Sequence, residues 1–76
     1  MNIGPRNKDR GIFAAKQFGA EYQANPGSSR REYLDSAAYY FREDVESFSQ
    51  LTPEEREACQ KAFREGIDAE RAISLA

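Results

Sequence analysis

Residues 29–48, SRREYLDSAAYYFREDVESF, constrain the fold most, because capping, charge and apolar spacing agree over this stretch. Its apolar residues follow one another at intervals of four, three, four and three, which is the seam of a helix that packs against other helices. The seam consists of Leu34, Ala38, Phe41, Val45 and Phe48. Ser29 and Glu32 form an S-x-x-E capping box at its start, so we expect a helix over about residues 30–47.

A first helix is predicted over about residues 8–24, with Asn7 or Asp9 as its N-cap. It is followed by Asn-Pro-Gly-Ser at residues 25–28, which breaks a helix. Phe13 lies away from the main apolar face of this helix. We favour its folding over a loop to complete the core, and the alternative is an exposed ring in a binding patch. The main face is rich in small residues, which suits close approach of another helix, and comprises Gly11, Ala14, Ala15, Phe18 and Tyr22.

A third helix is predicted over about residues 53–73. Thr52 and Glu55 form a second capping box, and Pro53 occupies the first helical position that proline prefers. Gly66 lies within the apolar pattern, where it permits either a close helix contact or a kink, and we favour the contact. The residues expected to face inward are Cys59, Ala62, Phe63, Gly66, Ile67 and Ile73.

Together these patterns predict an all-α fold, a compact three-helix domain with short connections in which helix two is central. The short turns favour up-down-up connectivity. Residues 1–6 contain Gly4 and Pro5 and no helical period, so we expect a mobile lead-in, with residues 7–76 forming a single helical domain. A chain of 76 residues has only a small core.

The composition excludes most catalytic sites. The chain has no histidine and one cysteine, so neither a Ser-His-Asp triad nor a Cys/His metal cluster can form. Cys59 is the one candidate nucleophile, and its place on an apolar face predicts an inert core thiol with a raised pKa. The glycines match no phosphate-binding loop and the acids match no calcium loop. We therefore expect a protein that is not an enzyme and that binds neither a cofactor nor a metal ion.

Charge is distributed unevenly along the chain. Residues 1–31 carry a net charge of +4, and residues 32–76 carry −6. We favour packing of the basic N-terminal part beside the acidic remainder, where the two fields partly cancel. The alternative is a basic patch for an acidic partner. That patch would comprise Arg6, Lys8, Arg10, Lys16, Arg30 and Arg31.

Aromatic residues exceed what one apolar seam on each helix can bury. Tyrosine is favoured at interfaces because its ring is apolar and its hydroxyl stays hydrated. For Tyr33 and Tyr40, simple packing on helix one is an equal alternative, whereas Tyr39 is the aromatic residue least expected in the core. The predicted partner-binding residues are Phe13, Tyr33, Tyr39 and Tyr40.

The leading functional expectation is a small non-enzymatic protein-binding domain, an adaptor or an inhibitor that acts on a larger protein assembly. We also expect a phage or mobile-element origin, with a role such as blocking a host defence system. This expectation comes only from the base rate among such small proteins. One alternative is an accessory nucleic-acid-binding protein that uses the basic patch, which the acidic outer faces of helices two and three disfavour. Another is a homodimeric structural or regulatory protein.

A cytoplasmic location without membrane contact is the expected setting. No apolar run approaches the roughly 20 residues needed to cross a bilayer. The start, MNIGPRNKDR, also lacks the apolar core of a signal peptide.

Overall fold

The computed structural model describes residues 7–75, which form three α-helices joined by short connections. Helix α1 spans Lys8–Ala24, α2 spans Arg30–Phe41 and α3 spans Pro53–Leu75, and a single 3₁₀ turn covers Phe48–Gln50. The predicted all-α, three-helix class is confirmed. The predicted lead-in, residues 1–6, lies outside the described residues.

Each helix begins where a side chain accepts a hydrogen bond from a free backbone amide. The Arg10 backbone N–H donates to Asn7 Oδ1 at 3.0 Å. The Ser29 and Glu32 side chains each accept from the other's backbone N–H, as a capping box requires. The Thr52 box is formed in the same way with Glu55. All three predicted helix starts are therefore confirmed.

Helix α1, rather than α2, is the central element. It packs along both other helices, whereas α2 and α3 meet over a short stretch only. The prediction that helix two is central is wrong because α1 carries small residues on two sides. On one side Gly11 receives the Phe41 ring of α2, and on the other Gly19 faces the backbone of Phe63 in α3.

The helices follow the predicted up-down-up course. Phe18 of α1 faces Tyr33 of α2, and Arg10 faces Glu43 just beyond the end of α2, so these two helices are antiparallel. Lys16 of α1 pairs with Glu65 of α3. Nearer the start of α1, Lys8 borders the first turns of α3, so α1 and α3 run parallel.

The parallel pair α1 and α3 is held at backbone contact by two glycines. An ideal Cβ placed on Gly19 would overlap the Phe63 carbonyl oxygen, and one placed on Gly66 would overlap the Lys16 carbonyl oxygen. Helix α3 continues through Gly66 without a break. The preferred interpretation of Gly66, close packing rather than a kink, is therefore confirmed.

The core lies between the three helices and is closed by the connection from α2 to α3. Its largest fully buried side chains are Phe41, Cys59 and Phe63. Tyr22 packs on Phe63 with a distance of 5.7 Å between ring centroids. Ile73, which was predicted to face inward, is 70% exposed. That prediction is wrong because Ile73 lies in the last turns of α3, near the level at which α1 ends.

Helix α2 ends at Phe41, whereas the apolar seam predicted a helix to about residue 47. Arg42 is extended, with φ −149° and ψ 121°. Beyond Phe41, hydrogen bonds to more distant parts of the chain replace further helical ones. The Asn7 N–H donates to the Phe41 carbonyl at 2.9 Å, and the Asp35 carboxylate accepts the Phe48 N–H at 2.8 Å.

The seam residues beyond Phe41 still contribute to the core. Val45 is buried and Phe48 is half-buried, although neither lies in α2. Gln50 Oε1 accepts the backbone N–H groups of Glu46 and Ser47, which fixes the connection that carries these side chains. The seam therefore predicted burial correctly and the helix length wrongly.

We expect Gly66→Ala to destabilise the protein by about 1–3 kcal/mol, because the new methyl group would force α1 and α3 apart. Helix propensity alone predicts the opposite sign, a gain of about 1 kcal/mol. The matched control is Gly27→Ala, since an added Cβ there would meet only the Tyr33 hydroxyl, at 3.8 Å. Urea denaturation of both variants checks the sign. A Gly66→Ala protein as stable as the wild type would contradict the backbone contact.

We expect Asp35→Ala to lower the free energy of unfolding by about 1–3 kcal/mol, because the part-buried Phe48 amide would lose its acceptor. Asp44→Ala is the matched control. Asp44 forms an ion pair with Arg42 near the surface, and losing such a pair costs at most about 1 kcal/mol. Thermal and urea unfolding measure both. Equal losses for the two variants would mean that the Asp35 bond does not hold the connection.

Candidate protein-binding surface

Aromatic side chains from α1 and α2 meet at the surface and form a groove. Phe13 on α1 is 63% exposed, and the half-buried Tyr40 on α2 lines the same groove. Tyr40 packs on Phe18, which forms the floor, at 6.0 Å between ring centroids. The groove encloses about 290 Å³. We call it the aromatic groove, and it is lined by Arg10, Phe13, Ala14, Gln17, Phe18, Glu21 and Tyr40.

Tyr39 extends the aromatic surface beyond the groove. It is 45% exposed and meets Tyr40 edge to face, with 5.6 Å between centroids. Adjacent residues of a helix point about 100° apart, so α2 directs Phe41 into the core while Tyr40 and Tyr39 turn progressively toward solvent. Three of the four predicted binding residues, Phe13, Tyr39 and Tyr40, are thereby brought to one surface.

Phe13 is exposed, so the favoured prediction that it folds over a loop to complete the core is wrong. The core is filled instead by rings from the other two helices, Phe41 and Phe63, which meet α1 on other sides. Phe13 therefore stays on the outer side of α1, away from Gly11 and Ala15, which face the core.

Tyr33 lies in the packing layer between α1 and α2. Its ring centroid is 6.1 Å from that of Phe18 and 5.7 Å from that of Tyr22. Its hydroxyl accepts a hydrogen bond from the Gly27 N–H at 3.1 Å, which holds the connection between α1 and α2 against α2. These contacts match the alternative in which Tyr33 rests on helix one. Tyr40 fits both the packing alternative and the binding prediction, because it packs on Phe18 of α1 and also lines the groove.

Arg10 and Glu21 mark the two ends of the aromatic groove. The Arg10 guanidinium lies 5.2 Å from the centroid of the Tyr40 ring, and its Nη1 donates to Glu43 at 3.2 Å. Both partners of this ion pair are about half exposed, so it adds little stability, but it places Arg10 at the rim. The sequence assigned Arg10 only to a basic patch. The sequence signal for its position was the helical spacing of three and four residues, which puts Arg10 on one face of α1 with Phe13, Gln17 and Glu21.

The described members of the predicted basic patch lie at different places on the surface. Lys8 and Lys16 border α3, where Lys16 Nζ is 3.7 Å from a Glu65 carboxylate oxygen. The Arg30 guanidinium lies 5.0 Å from the centroid of the Phe63 ring. Arg31 borders Leu34 at the start of α2. These positions fit the expectation that basic residues pack beside the acidic part of the chain, and Arg6 lies outside the described residues.

Cys59 is fully buried, as predicted, and burial raises its pKa from 9.0 to about 12. At neutral pH the thiol is therefore protonated and enclosed, which removes the reactivity of a nucleophile. Within residues 7–75, no group of three or more acidic, cysteine or histidine side chains is placed to hold a metal ion. Over the same residues, no helix has the length and apolar character needed to span a membrane.

Comparison of the chain with protein-family models, with curated proteins and with solved structures finds no match. A function must therefore be inferred from the surface of the protein itself. On that surface the aromatic groove combines large apolar rings, a shaped cavity and charges at both ends.

We expect Cys59 to resist alkylation in the folded protein. Burial raises the pKa of the thiol to about 12, so very little of it is ionised at pH 8, and the sulfur is also covered. Iodoacetamide should therefore label the native protein slowly and the urea-unfolded protein at least about a hundredfold faster. Mass spectrometry follows the adduct. Rapid labelling of the native protein would contradict the burial of this thiol.

Proposed function

We propose that the protein is a non-enzymatic binding domain that holds a larger protein through the aromatic groove. The observation that carries the proposal is that Phe13, Tyr40 and Tyr39 form one surface across two helices while the core is completed elsewhere. Exposed rings of this kind mark interaction sites, and aromatic residues dominate the energetics of protein interfaces.

The exposed rings around the groove support a protein partner, because aromatic side chains are enriched at protein interfaces. The groove has a volume of about 290 Å³. A space of this size suits one or two side chains from a partner. Phe13 beside it is a projecting anchor for a pocket on that partner, so contacts run in both directions across the interface.

The proposal extends to the action of an adaptor or an inhibitor on a larger assembly. A domain that offers an aromatic groove and an inert thiol acts most simply by occupying a site on another protein. Its origin in a phage or mobile element and its cytoplasmic location stay predictions. Nucleic-acid binding is the weaker candidate, because Lys8 and Lys16 lie beside carboxylates of α3 and Arg30 lies over the Phe63 ring.

Site-directed photo-crosslinking tests the proposal. We expect benzoylphenylalanine at position 13 to crosslink a discrete larger protein in cells of the source organism, because this ring would lie within the interface. The matched control is the same residue at position 73, since Ile73 is equally exposed but lies on α3. Mass spectrometry identifies the adduct. Capture at position 73 alone, or equal capture at both, would contradict the proposal.

Phe13→Ala provides the quantitative form of the test. Because the Phe13 ring is exposed, we expect the free energy of unfolding to stay within about 0.5 kcal/mol of the wild-type value. Loss of an interface anchor costs about 2 kcal/mol or more, so binding to the crosslinked partner should weaken at least about thirtyfold. Calorimetry measures the affinity. Unchanged affinity would show that Phe13 is not the anchor.

A further inference from the structure

We infer that a second copy of the chain occupies the aromatic groove, in a reversible homodimer built by antiparallel pairing of α1 with α1 of the partner copy. The inference concerns the same surface as the proposed function but does not require it. It depends on how residues are arranged along the face of α1 that lines the groove.

The groove-lining residues of α1 can pair with the same residues of a second, antiparallel copy of the helix. A two-fold axis through the middle of α1 places position 10 opposite 21, position 13 opposite 18, and position 14 opposite 17. In such an interface each contact occurs twice, because residue i meets residue j in both directions. The Phe13 ring of each copy then lies over Phe18, on the floor of the other copy's groove.

Charge complementarity identifies the occupant. Arg10 and Glu21 are eleven residues apart, about 16 Å along the helix, at opposite ends of the groove. An antiparallel copy brings each Arg10 to the opposing Glu21, and a parallel copy would bring like charges together. Arg10 uses its Nη1 to hold Glu43, and a guanidinium has five N–H donors, so a second carboxylate is accommodated. The Glu21 carboxylate makes no ion pair within residues 7–75.

The size of the surface makes this dimer weak and reversible. Six residues of α1, with Tyr40 and Tyr39 beside them, are far fewer than the roughly 20–30 residues a side of a stable interface. The dimer therefore forms at high protein concentration and dissociates on dilution. Self-association covers Phe13, so a partner that binds the groove more tightly releases the monomer.

Charge reversal tests the register of the dimer. In Glu21→Arg or Arg10→Glu alone, both interchain ion pairs become repulsive, so self-association should weaken by about tenfold or more. An equimolar mixture of the two variants restores opposite charges at both contacts. Arg10 of one variant meets Glu21 of the other, and the two substituted side chains meet each other. We expect the mixture to regain the doubled mass of the wild-type dimer. Sedimentation equilibrium over a wide concentration range measures the masses.

The controls separate association from folding. Asp68→Arg reverses an exposed charge on α3, outside the groove, and should dimerise like the wild type. Glu21→Arg breaks no ion pair within the described chain, so circular dichroism should show an unchanged helix content. Arg10→Glu fails to fold if the new carboxylate repels Glu43 too strongly. In that case Glu21→Arg alone tests the inference. It should be monomeric under conditions in which the wild type and Asp68→Arg are dimeric.

Three results would overturn the inference: a wild-type protein that stays monomeric at every concentration, single variants that dimerise like the wild type, or folded variants whose mixture does not associate. These results concern the mass of the protein alone. A missing crosslink to a larger protein would contradict the proposed function and leave the dimer standing, and a monomeric wild type would do the reverse.

Discussion

The backbone contact between α1 and α3 is the constraint on which the rest of the structure depends. Because Gly19 and Gly66 lack side chains, the two parallel helices approach until backbone atoms touch. On its adjacent side α1 accepts the Phe41 ring of α2 against Gly11. Two sides of one helix are thus used by the core. The remaining side, which carries Phe13, is the one that the fold leaves exposed to solvent.

Sequence patterns predicted the helix starts well, because a capping box is a local interaction between residues three apart. They failed for the central helix, since an apolar seam measures how much surface a helix buries and not how closely its neighbours approach. Gly11 and Gly19 lower the helix propensity of α1, yet they are its contacts with α2 and α3. The end of α2 was also missed. The apolar spacing continues past Phe41, whereas the polar bond from Phe48 to Asp35 joins residues thirteen apart and leaves no periodic signal.

The candidate site was partly visible in the sequence. Tyr39 and Phe13 were marked by their distance from the apolar seams, and the structure places both at the surface with Tyr40. The groove itself could not be predicted, because it depends on the register between two helices, which the Gly11–Phe41 contact sets. That register also explains why Tyr33 is enclosed between Phe18 and Tyr22 while Tyr40, two turns along the same helix, borders an open cavity.

The aromatic pair at the edge of the groove also gives the protein an optical property. The chain contains no tryptophan, so its ultraviolet emission comes from four tyrosines, two of which are Tyr39 and Tyr40. These two rings are in contact with each other, and the Arg10 guanidinium lies over one of them. If a partner occupies the groove as proposed, the solvent and the charge around this pair change, and the intensity of tyrosine fluorescence then reports on that occupation without an attached dye.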